Sequence, residues 1–492
     1  MALSLGLDVA RSSLATTAGQ IAVVSRNVTH AGSSNAVRKI ADVVTGAGGG
    51  VSIGRISRGS DALLLDKYLT SNSLAKSGDA VANALGTIQA ASGDTDQERS
   101  PAALIGKLDG ALQRYSASPQ SVASASAAIS AAKDLATALN AASVAVSGVR
   151  QQANSDIADS VANINVLLDK FGFLNNEIVE GTRAGRDVTD AQDARDGVLK
   201  ELSGEIGIHT VSRNDGDLAI YTESGVTMFD KVARSATMSS SGPLVNGQSG
   251  PPVYIDGVAV AGPSQIMAVR TGKISGLVAV RDQIAPAHEA KLDEIARGLI
   301  EAFAEHDQSA APTLPPAAGL FTYPGAPAVP PAGVVSDGLA GLISINVNVD
   351  PSAGGQPLRL RDGGISIPSN PVYNYNPGGA ASYGDRIQEL SAELNKARAF
   401  DPVAGLGASS TLADYSNATT SALEEQRQSA VSEAGYRNIV SDRAATALSK
   451  ETGVNLDEEM SRMLDLERTY QASARLLTAI DTLLSTLLDA VR

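Results

Sequence analysis

The chain has 492 residues and a formal net charge of -14, from 53 acidic and 39 basic residues. Because phosphate groups attract basic surfaces, this charge argues against nucleic-acid and anionic-membrane partners. Cysteine is absent, which excludes disulfide bonds and thiolate metal sites, and the apolar pattern predicts neither a Sec signal peptide nor a membrane span. A hydrophobic content of 43% with only 3% aromatic residues favours long, closely packed helices in an elongated molecule.

The first predicted element is a helix with a heptad pattern. Its apolar residues recur in alternating steps of four and three, and Thr17 is the only polar member of the series. The series is Leu3, Leu7, Ala10, Leu14, Thr17, Ile21, Val24 and Val28. A spacing that averages about 3.5 residues keeps one narrow stripe facing a partner helix along its whole length.

A turn at Thr29 to Asn35 and a glycine run follow this helix. The run Gly46, Gly48, Gly49 and Gly50 does not complete the spacing of a phosphate-binding loop, and no Lys-Ser or Lys-Thr pair follows it. These glycines therefore predict a turn into a short strand from Val51 to Ile56. Helical periodicity resumes from Asp61 to Gln89.

The longest predicted element runs from Gln120 to Gly181. This segment contains no proline and is rich in alanine. A continuous helix of about 60 residues would be about 90 Å long. Such a rod needs neighbours, and Arg281 to Glu305 and Thr411 to Lys450 are the candidate partner helices.

Between these rods the periodicity changes to that of strands. His209 to Phe229 predicts a hairpin, β structure is expected to continue to about Lys273, and Leu342 to Val349 alternates once more. We expect one small β-rich outer domain to account for both strand regions. Seven prolines between Pro312 and Pro331 predict an irregular segment, either ordered or mobile.

The last predicted element is a second heptad helix, in which only Ser473 interrupts the apolar series. Its members are Met463, Leu466, Tyr470, Ser473, Leu477, Ile480, Leu484, Leu487 and Val491. Because terminal segments fray unless they are docked, we expect the two heptad helices to meet each other and then neighbouring copies. Together, the apolar members of both series, apart from Ala10, form the predicted assembly seam, and Leu484 is expected to face water before assembly.

These elements predict a fold that is mainly α with an inserted β domain. The predicted terminal coiled-coil domain comprises residues 1-60 and 454-492. The predicted helical bundle comprises residues 61-205 and 274-453, with an irregular region near 309-335. The predicted β-rich outer domain comprises residues 206-273.

Few residues offer catalytic or metal-binding chemistry. The four histidines, His30, His209, His288 and His306, form no metal-binding pair and each is predicted to be a surface or capping residue. A charged cluster contains Asp187, Asp190, Asp193 and Asp196 together with Arg183, Arg186 and Arg195. It lacks the glycine and glutamate of a calcium loop, so an ion-pair face is predicted. We therefore predict no enzyme activity, no cofactor and no metal.

Several stretches together resemble one protein family. Residues 453-460, with the sequence GVNLDEEM, followed by YQASAR at 470-475 and Leu487-Leu488, resemble the C-terminus of bacterial flagellar axial proteins. Within that superfamily, three further stretches resemble the hook-associated protein 1 family. They are GGVSI at 49-53 with Arg58 and Asp61, DARD at 193-196, and GKISGL at 272-277 with Arg281-Asp282. One departure is the turn after the first helix, where Thr29-His30-Ala31-Gly32 replaces the family's Thr-Pro-Gly-Tyr.

The resemblance implies a structural protein that is exported through the flagellar type III apparatus and assembles as a ring between hook and filament. The implied partners are further copies of the chain, the hook protein, the next hook-associated protein and a cytosolic export chaperone on the C-terminal helix. Two alternatives remain. One is another flagellar axial protein, and the other is a wall hydrolase carried on a flagellar scaffold.

Overall fold

The computed structural model describes residues 2-33, 35-46, 49-92, 99-240, 242-263 and 265-490. Helices make up most of these residues, and small antiparallel sheets account for the strands. The predicted fold class, mainly α with an inserted β domain, is confirmed. Within the described residues, no helix combines the length and the apolar character needed to cross a membrane.

The helices are α1 Ala2–His30, α2 Ala62–Ser92, α3 Pro101–Ser116, α4 Val122–Arg183, α5 Thr189–Glu205, α6 Lys273–Ala279, α7 Ala285–Ala302, α8 Leu339–Leu342, α9 Arg359–Asp362, α10 Asp385–Leu394, α11 Leu412–Thr452 and α12 Leu456–Ala490. The strands are β1 Lys39–Thr45, β2 Val51–Arg58, β3 Ile208–Ser212, β4 Leu218–Thr222, β5 Thr227–Asp230, β6 Val232–Ala233, β7 Ala236–Met238, β8 Val253–Ile255, β9 Val258–Ala261, β10 Phe321–Thr322, β11 Ser344–Ile345, β12 Arg398–Ala399 and β13 Ser409–Ser410.

Helix α4 is the predicted rod and contains 62 residues. It begins where the Ser121 hydroxyl accepts a hydrogen bond from the backbone N–H of Ser124, the usual role of a serine at a helix N-cap. It ends before Gly185, whose φ of 68° lies in the left-handed region that terminates many helices. Without proline between these ends, nothing interrupts the helical hydrogen bonds.

Two hydrophobic cores lie along this rod. The first joins the N-terminal half of α4 to α3, α7, α8, α10 and the start of α11. The second joins the C-terminal half of α4 to α5, α6 and the strands β3 to β9. Helix α2 contributes to both, through Leu85 and Ile88 in the first core and Leu69 in the second.

Strands β3 to β9 lie within the range predicted for the outer β domain. They form a four-stranded sheet in the order β3-β4-β5-β6 and a three-stranded sheet in the order β7-β8-β9. Phe229 of β5 packs edge-on against Phe171 of α4, with ring centroids 4.9 Å apart. Gly172 gives that ring room, because a Cβ there would lie 3.1 Å from it.

The expectation that one β domain contains both strand regions is wrong. Strand β11, in the alternating stretch Leu342 to Val349, pairs with β10 and not with the outer sheets. Both Phe321 of β10 and Ile345 of β11 belong to the core built around α3, α4 and α7. Alternation in a short segment shows that one face is buried, but it does not show which sheet or core covers that face.

The proline-rich segment is ordered and irregular. Its apolar residues Ala317, Ala318 and Leu320 are buried, and Ala317 forms isolated bridges with Glu305 and Ala328. The prolines prevent a regular ladder, while the apolar side chains between them anchor the segment to the first core.

One of the four histidine predictions is wrong. His288 of α7 is 5% exposed, and burial lowers its pKa to about 4. The other three are exposed, with His30 in the last turn of α1 and His209 lying 3.8 Å from Asp66. His288 is thus a neutral core residue rather than a surface or capping one.

Gly276 provides a test of the close crossing between α6 and α2. A methyl group at this position would overlap the Ser77 carbonyl oxygen and approach the Ala80 methyl. Gly276→Ala should therefore lower the free energy of unfolding by about 1 to 3 kcal/mol, as measured by denaturant titration. Gly148→Ala is the matched control, since no other group lies within 4 Å of that position on α4. It should raise stability by about 0.5 to 1 kcal/mol, and equal effects of the two changes would contradict the crossing.

Asp293 should make stability depend on pH. Burial raises the pKa of this α7 carboxyl to about 7, aided by the nearby Glu289 and Asp337 and opposed by hydrogen bonds from the backbone N–H groups of Ala340 and Gly338. Because the folded pKa exceeds the unfolded one, the stabilisation is complete below about pH 4 and is lost as the pH rises through about 7.

The variant Asp293→Asn should lack this dependence. Unfolding titrations of both proteins at several values between pH 4 and pH 8 should show a gap in stability that changes by about 3 to 4 kcal/mol. His288 titrates in both proteins, so its contribution cancels in the difference. A gap that is constant with pH would show that Asp293 is ionised throughout this range.

Candidate assembly site

Helices α1 and α12 lie against each other and run antiparallel. The Cδ1 methyl of Ile480 packs on Gly6 and would lie 3.6 Å from a Cβ at that position. The hydroxyl oxygens of Ser13 and Ser473 are 3.1 Å apart. Nearer the other end, the Asn27 amide donates to Glu459 over 3.0 Å. Each seven-residue step along α1 thus matches a seven-residue step back along α12, as in an antiparallel coiled coil.

The predicted seam lies mostly along this line of contact. Val24 is buried. Half-buried members are Leu7, Leu14, Ile21, Val28, Met463, Leu466, Leu477, Ile480 and Leu484. Tyr470 and Leu487 are 39% and 54% exposed. Val491 and the side chain of Leu3 lie outside the described residues. The expectation that Leu484 faces water before assembly is therefore wrong, because its side chain is already half-buried in the single chain.

The pair leaves large apolar side chains exposed on two sides of α12. We call them together the outer row, and they are Met460 and Leu464 near the start of the helix and Leu476, Leu483 and Leu487 nearer its end, each 47% to 60% exposed. Of these, only Leu487 was part of the predicted seam. The seven-residue interval between Leu476 and Leu483 was the available signal, but a single repeat is too short to distinguish a second stripe from chance.

The β1–β2 hairpin covers another face of α1. The Thr16 hydroxyl donates to the Val51 carbonyl over 2.8 Å, and the Val51 N–H donates to the Ser12 hydroxyl over 3.2 Å. The Ile53 side chain occupies the space left by the missing Cβ of Gly19. Helix α1 is thus enclosed between α12 and the hairpin, which fixes its orientation.

The predicted glycine turn joins the two strands of this hairpin. The Gly46 N–H donates to the Gly50 carbonyl over 2.7 Å, and Gly49 has a φ of 79°. Gly48 lies outside the described residues.

A buried carboxylate joins the terminal segments near the hairpin. Glu459 is fully buried, accepts from Arg38 Nε over 2.7 Å and accepts from the Asn27 amide. Asn27 also exchanges two hydrogen bonds with the backbone of Lys39. One side chain of α12 is therefore bonded both to α1 and to the segment that leads into β1.

The acidic cluster lies where the terminal segments meet the helical body. Arg58 of β2 binds Asp193 over 3.0 Å and also binds Asp196, while Arg26 of α1 binds Asp187 over 2.9 Å. Burial raises the pKa of Asp193, and the charges of Arg58 and Lys39 oppose that rise. We call this group the ionic joint.

The predicted ion-pair face exists, but its cations come from other segments than expected. Arg195 donates to the Asn175 side chain and the Gly216 carbonyl, and Arg183 pairs with Asp215 at 2.8 Å. The cations that pair with the acidic cluster come instead from α1, β1 and β2, and they are Arg26, Lys39 and Arg58. Within the described ranges, no group of three or more histidine, aspartate or glutamate side chains is placed to hold a metal ion.

The third stretch of the resemblance also lies at a joint. Arg281 is fully buried and binds Asp282 over 2.7 Å and Asn154 of α4 over 3.0 Å. The same Asp282 accepts the backbone N–H of Gly250, in the segment between β7 and β8. These contacts attach the outer strands to the rod.

Two family models match the chain. Residues 79-311 match the helical domain of the flagellar hook-associated protein FlgK, and residues 449-490 match the C-terminal domain of the flagellar basal body rod proteins FlgEFG. The second match covers the whole of α12.

Known proteins match over shorter parts of their length. Flagellar hook-associated protein 1 of Salmonella typhimurium strain LT2 and that of Salmonella typhi are each 28% identical over 164 residues, which is 32% of this chain and 29% of the relative. The chain thus matches less than a third of the length of these curated relatives.

A solved structure was also found, that of the flagellar hook junction protein FlgK from Burkholderia pseudomallei. It aligns with a TM-score of 0.43 and 20% identity, over 52% of this chain and 46% of that one. The family models and the Salmonella relatives thus show that this chain is similar to flagellar proteins, and over residues 79-311 to the helical domain of the hook-associated protein FlgK.

Proposed function

We propose that this chain is a secreted structural subunit of the bacterial flagellum, which assembles as a ring that joins hook to filament. The observation that carries the proposal is the terminal helix pair, whose α12 exposes the outer row within the segment that matches the axial-protein family model. The Salmonella relatives are named hook-associated protein 1, which indicates the hook-filament junction rather than another position in the flagellum.

The outer row favours assembly for a physical reason. Burying one large aliphatic side chain contributes about 1.5 to 3 kcal/mol, and the row offers five apolar side chains on a single helix. Exposed apolar surface of this kind marks sites of association. Because α12 already contacts α1 on one side, a neighbouring subunit would meet the helix pair rather than a single helix.

The family resemblance implies the partners. Within the ring, the partner is a further copy of this chain, with the hook protein on one side and the next hook-associated protein on the other. Before export, a cytosolic chaperone would cover the exposed leucines of α12, which would otherwise promote aggregation.

Two alternatives have distinct tests. Another axial protein, such as a filament-side hook-associated protein or the hook protein, would occupy a different position along the flagellum. A wall hydrolase would need paired carboxylates in a cleft lined by aromatic residues, and the chain contains no tryptophan. We therefore infer a structural role without enzyme activity.

Glu459 should hold the terminal segments together as one unit. Replacing it with Gln removes the charge that Arg38 binds and leaves an N–H group facing a donor, at a cost of about 1 to 3 kcal/mol. Hydrogen exchange of Glu459→Gln should accelerate in α1, β1 and α12 while α4 stays protected. The exposed neighbour Glu458, 60% exposed and 3.3 Å from Arg38, is the control, and Glu458→Gln should change exchange little. Faster exchange throughout α4 would show that Glu459 supports the whole fold.

Leu483→Asp tests the outer row as the assembly surface. The change loses burial of about 1.5 to 3 kcal/mol, and desolvating the carboxylate in an assembled ring costs several kcal/mol more. We expect the thermal melting of the helical body to stay unchanged, while immunogold electron microscopy finds no variant protein between hook and filament and the cells lose motility.

Thr482→Asp, at an exposed position of the same helix, is the matched control and should assemble normally. Normal junctions containing Leu483→Asp would reject the outer row as the assembly surface. Unmodified protein found elsewhere along the flagellum would favour another axial role.

A further inference from the structure

The C-terminal half of α11 exposes large apolar side chains on the side that faces away from the body. Tyr436, Ile439 and Val440 are 36% to 65% exposed, and we call them the α11 patch. On the opposite side of the helix, Ala434 packs closely on Gly78 of α2. The patch therefore lies away from the contact between α11 and α2.

Helix α4 carries a second exposed apolar site. Val166 and Phe173 lie seven residues apart, on one face of the helix, and are 64% and 70% exposed. We call them, with the exposed Lys170 between them, the α4 patch. Phe173 is unusual in this chain, because the other five phenylalanines are at most 2% exposed.

The two patches belong to helices on either side of α2, which packs on both α11 and α4. A contact between two different surfaces of identical chains is heterologous, and such contacts close into rings when the rotation allows. A subunit of such a ring needs two different surfaces, one for each neighbour. The α11 patch and the α4 patch are two such surfaces on one chain.

We propose that the α11 patch of one copy docks on the α4 patch of the next copy in the ring. This inference rests on the function proposed above and identifies the surfaces through which the helical bodies meet. The partner is thus a second copy of this chain, in contact along the body as well as along the terminal helices.

The charges around the two patches allow ion pairs across the contact. Asp442 and Arg443 are exposed beside the α11 patch, and Asp169, Lys170 and Glu177 are exposed around the α4 patch. Each patch is therefore bordered by both signs, so that Arg443 of one copy has carboxylates to meet on the next. The nearer pair Glu433–Arg437, at 2.7 Å, is already satisfied within α11.

The chain path supports a second copy as the occupant. Helix α12 follows α11 after Gly453, and the Arg38 N–H donates to the Thr452 carbonyl at this junction over 2.8 Å. The end of α11 is thus attached to the terminal segments. Subunits whose terminal helices pack side by side would bring α11 of one copy beside the body of its neighbour.

The absence of cysteine allows a direct test by cross-linking. Ser432→Cys places a thiol beside the α11 patch, and Lys170→Cys places one within the α4 patch, at exposed positions that leave the apolar side chains intact. The full chain with both changes is produced in cells that lack the native copy, and isolated flagella are treated with a short bismaleimide.

We expect a ladder of covalent oligomers from the double variant and none from either single variant. A chain with Ser432→Cys and Asp256→Cys, in which the second thiol lies on the outer β domain, should also give no ladder. Adding Ile439→Asp to the double variant should reduce the ladder at least tenfold. Ser421→Asp, at an exposed position about five helical turns before Ile439 on the same face of α11 but outside the patch, should not reduce it.

The outcomes separate this inference from the proposed function. Flagella that contain the double variant at the junction but yield only monomer would overturn the patch contact and leave the junction role intact. Dimers from Ser432→Cys alone would show that α11 pairs with itself, which also overturns the proposal. Flagella without the chain would overturn the proposed function and, with it, the ring that this contact requires.

Discussion

The 62-residue helix α4 constrains the rest of the fold, because it forms one wall of both hydrophobic cores. In its N-terminal half the buried positions include Ala125, Ala128, Ala132 and Ala136, and these small side chains let α3 and α7 approach closely. In its C-terminal half they include Ile157, Ile164 and Phe171, which support the strands of the outer domain. The buried face of one helix thus serves two cores that have different partners.

Buried polar groups connect the parts that the cores leave separate. Neither core contains a residue of α1, the β1–β2 hairpin or α12, so the terminal segments are held to the body by the ionic joint and the chain connections. Arg58, Arg281 and Glu459 each bind carboxylate or amide partners far away in sequence. Leaving one member of such a pair unpaired is costly, which makes these contacts specific for one arrangement of the segments. The stretches that resemble the family include these three residues.

Some apolar side chains of the long helices are exposed to solvent. Among the large apolar side chains exposed in the described chain, several lie on α12 and α11, the helices next to the terminal joint, and others on α4. Many of the apolar residues of the chain are buried in two cores, and others are exposed on long helices. Long helices present such residues at regular intervals, which suits contacts repeated between identical subunits.

The sequence by itself determined the long helices, the heptad character of both termini, the first hairpin of the outer sheets and the irregularity of the proline-rich segment. Each of these depends on local periodicity or on residues with restricted backbone conformations, and both are visible without the fold.

Only the tertiary structure decided which surfaces meet. Periodicity shows that a helix face is apolar but not what covers it, so the outer row, the half-burial of Leu484 and the pairing of β11 with β10 were not predicted. Spacing placed the α5 aspartates beside Arg183 and Arg195, but their partners come from α1, β1 and β2, because an ion pair depends on distance in space. His288 was assigned to the surface since a polar residue on a helix is usually exposed, and only the packing around α7 buries it.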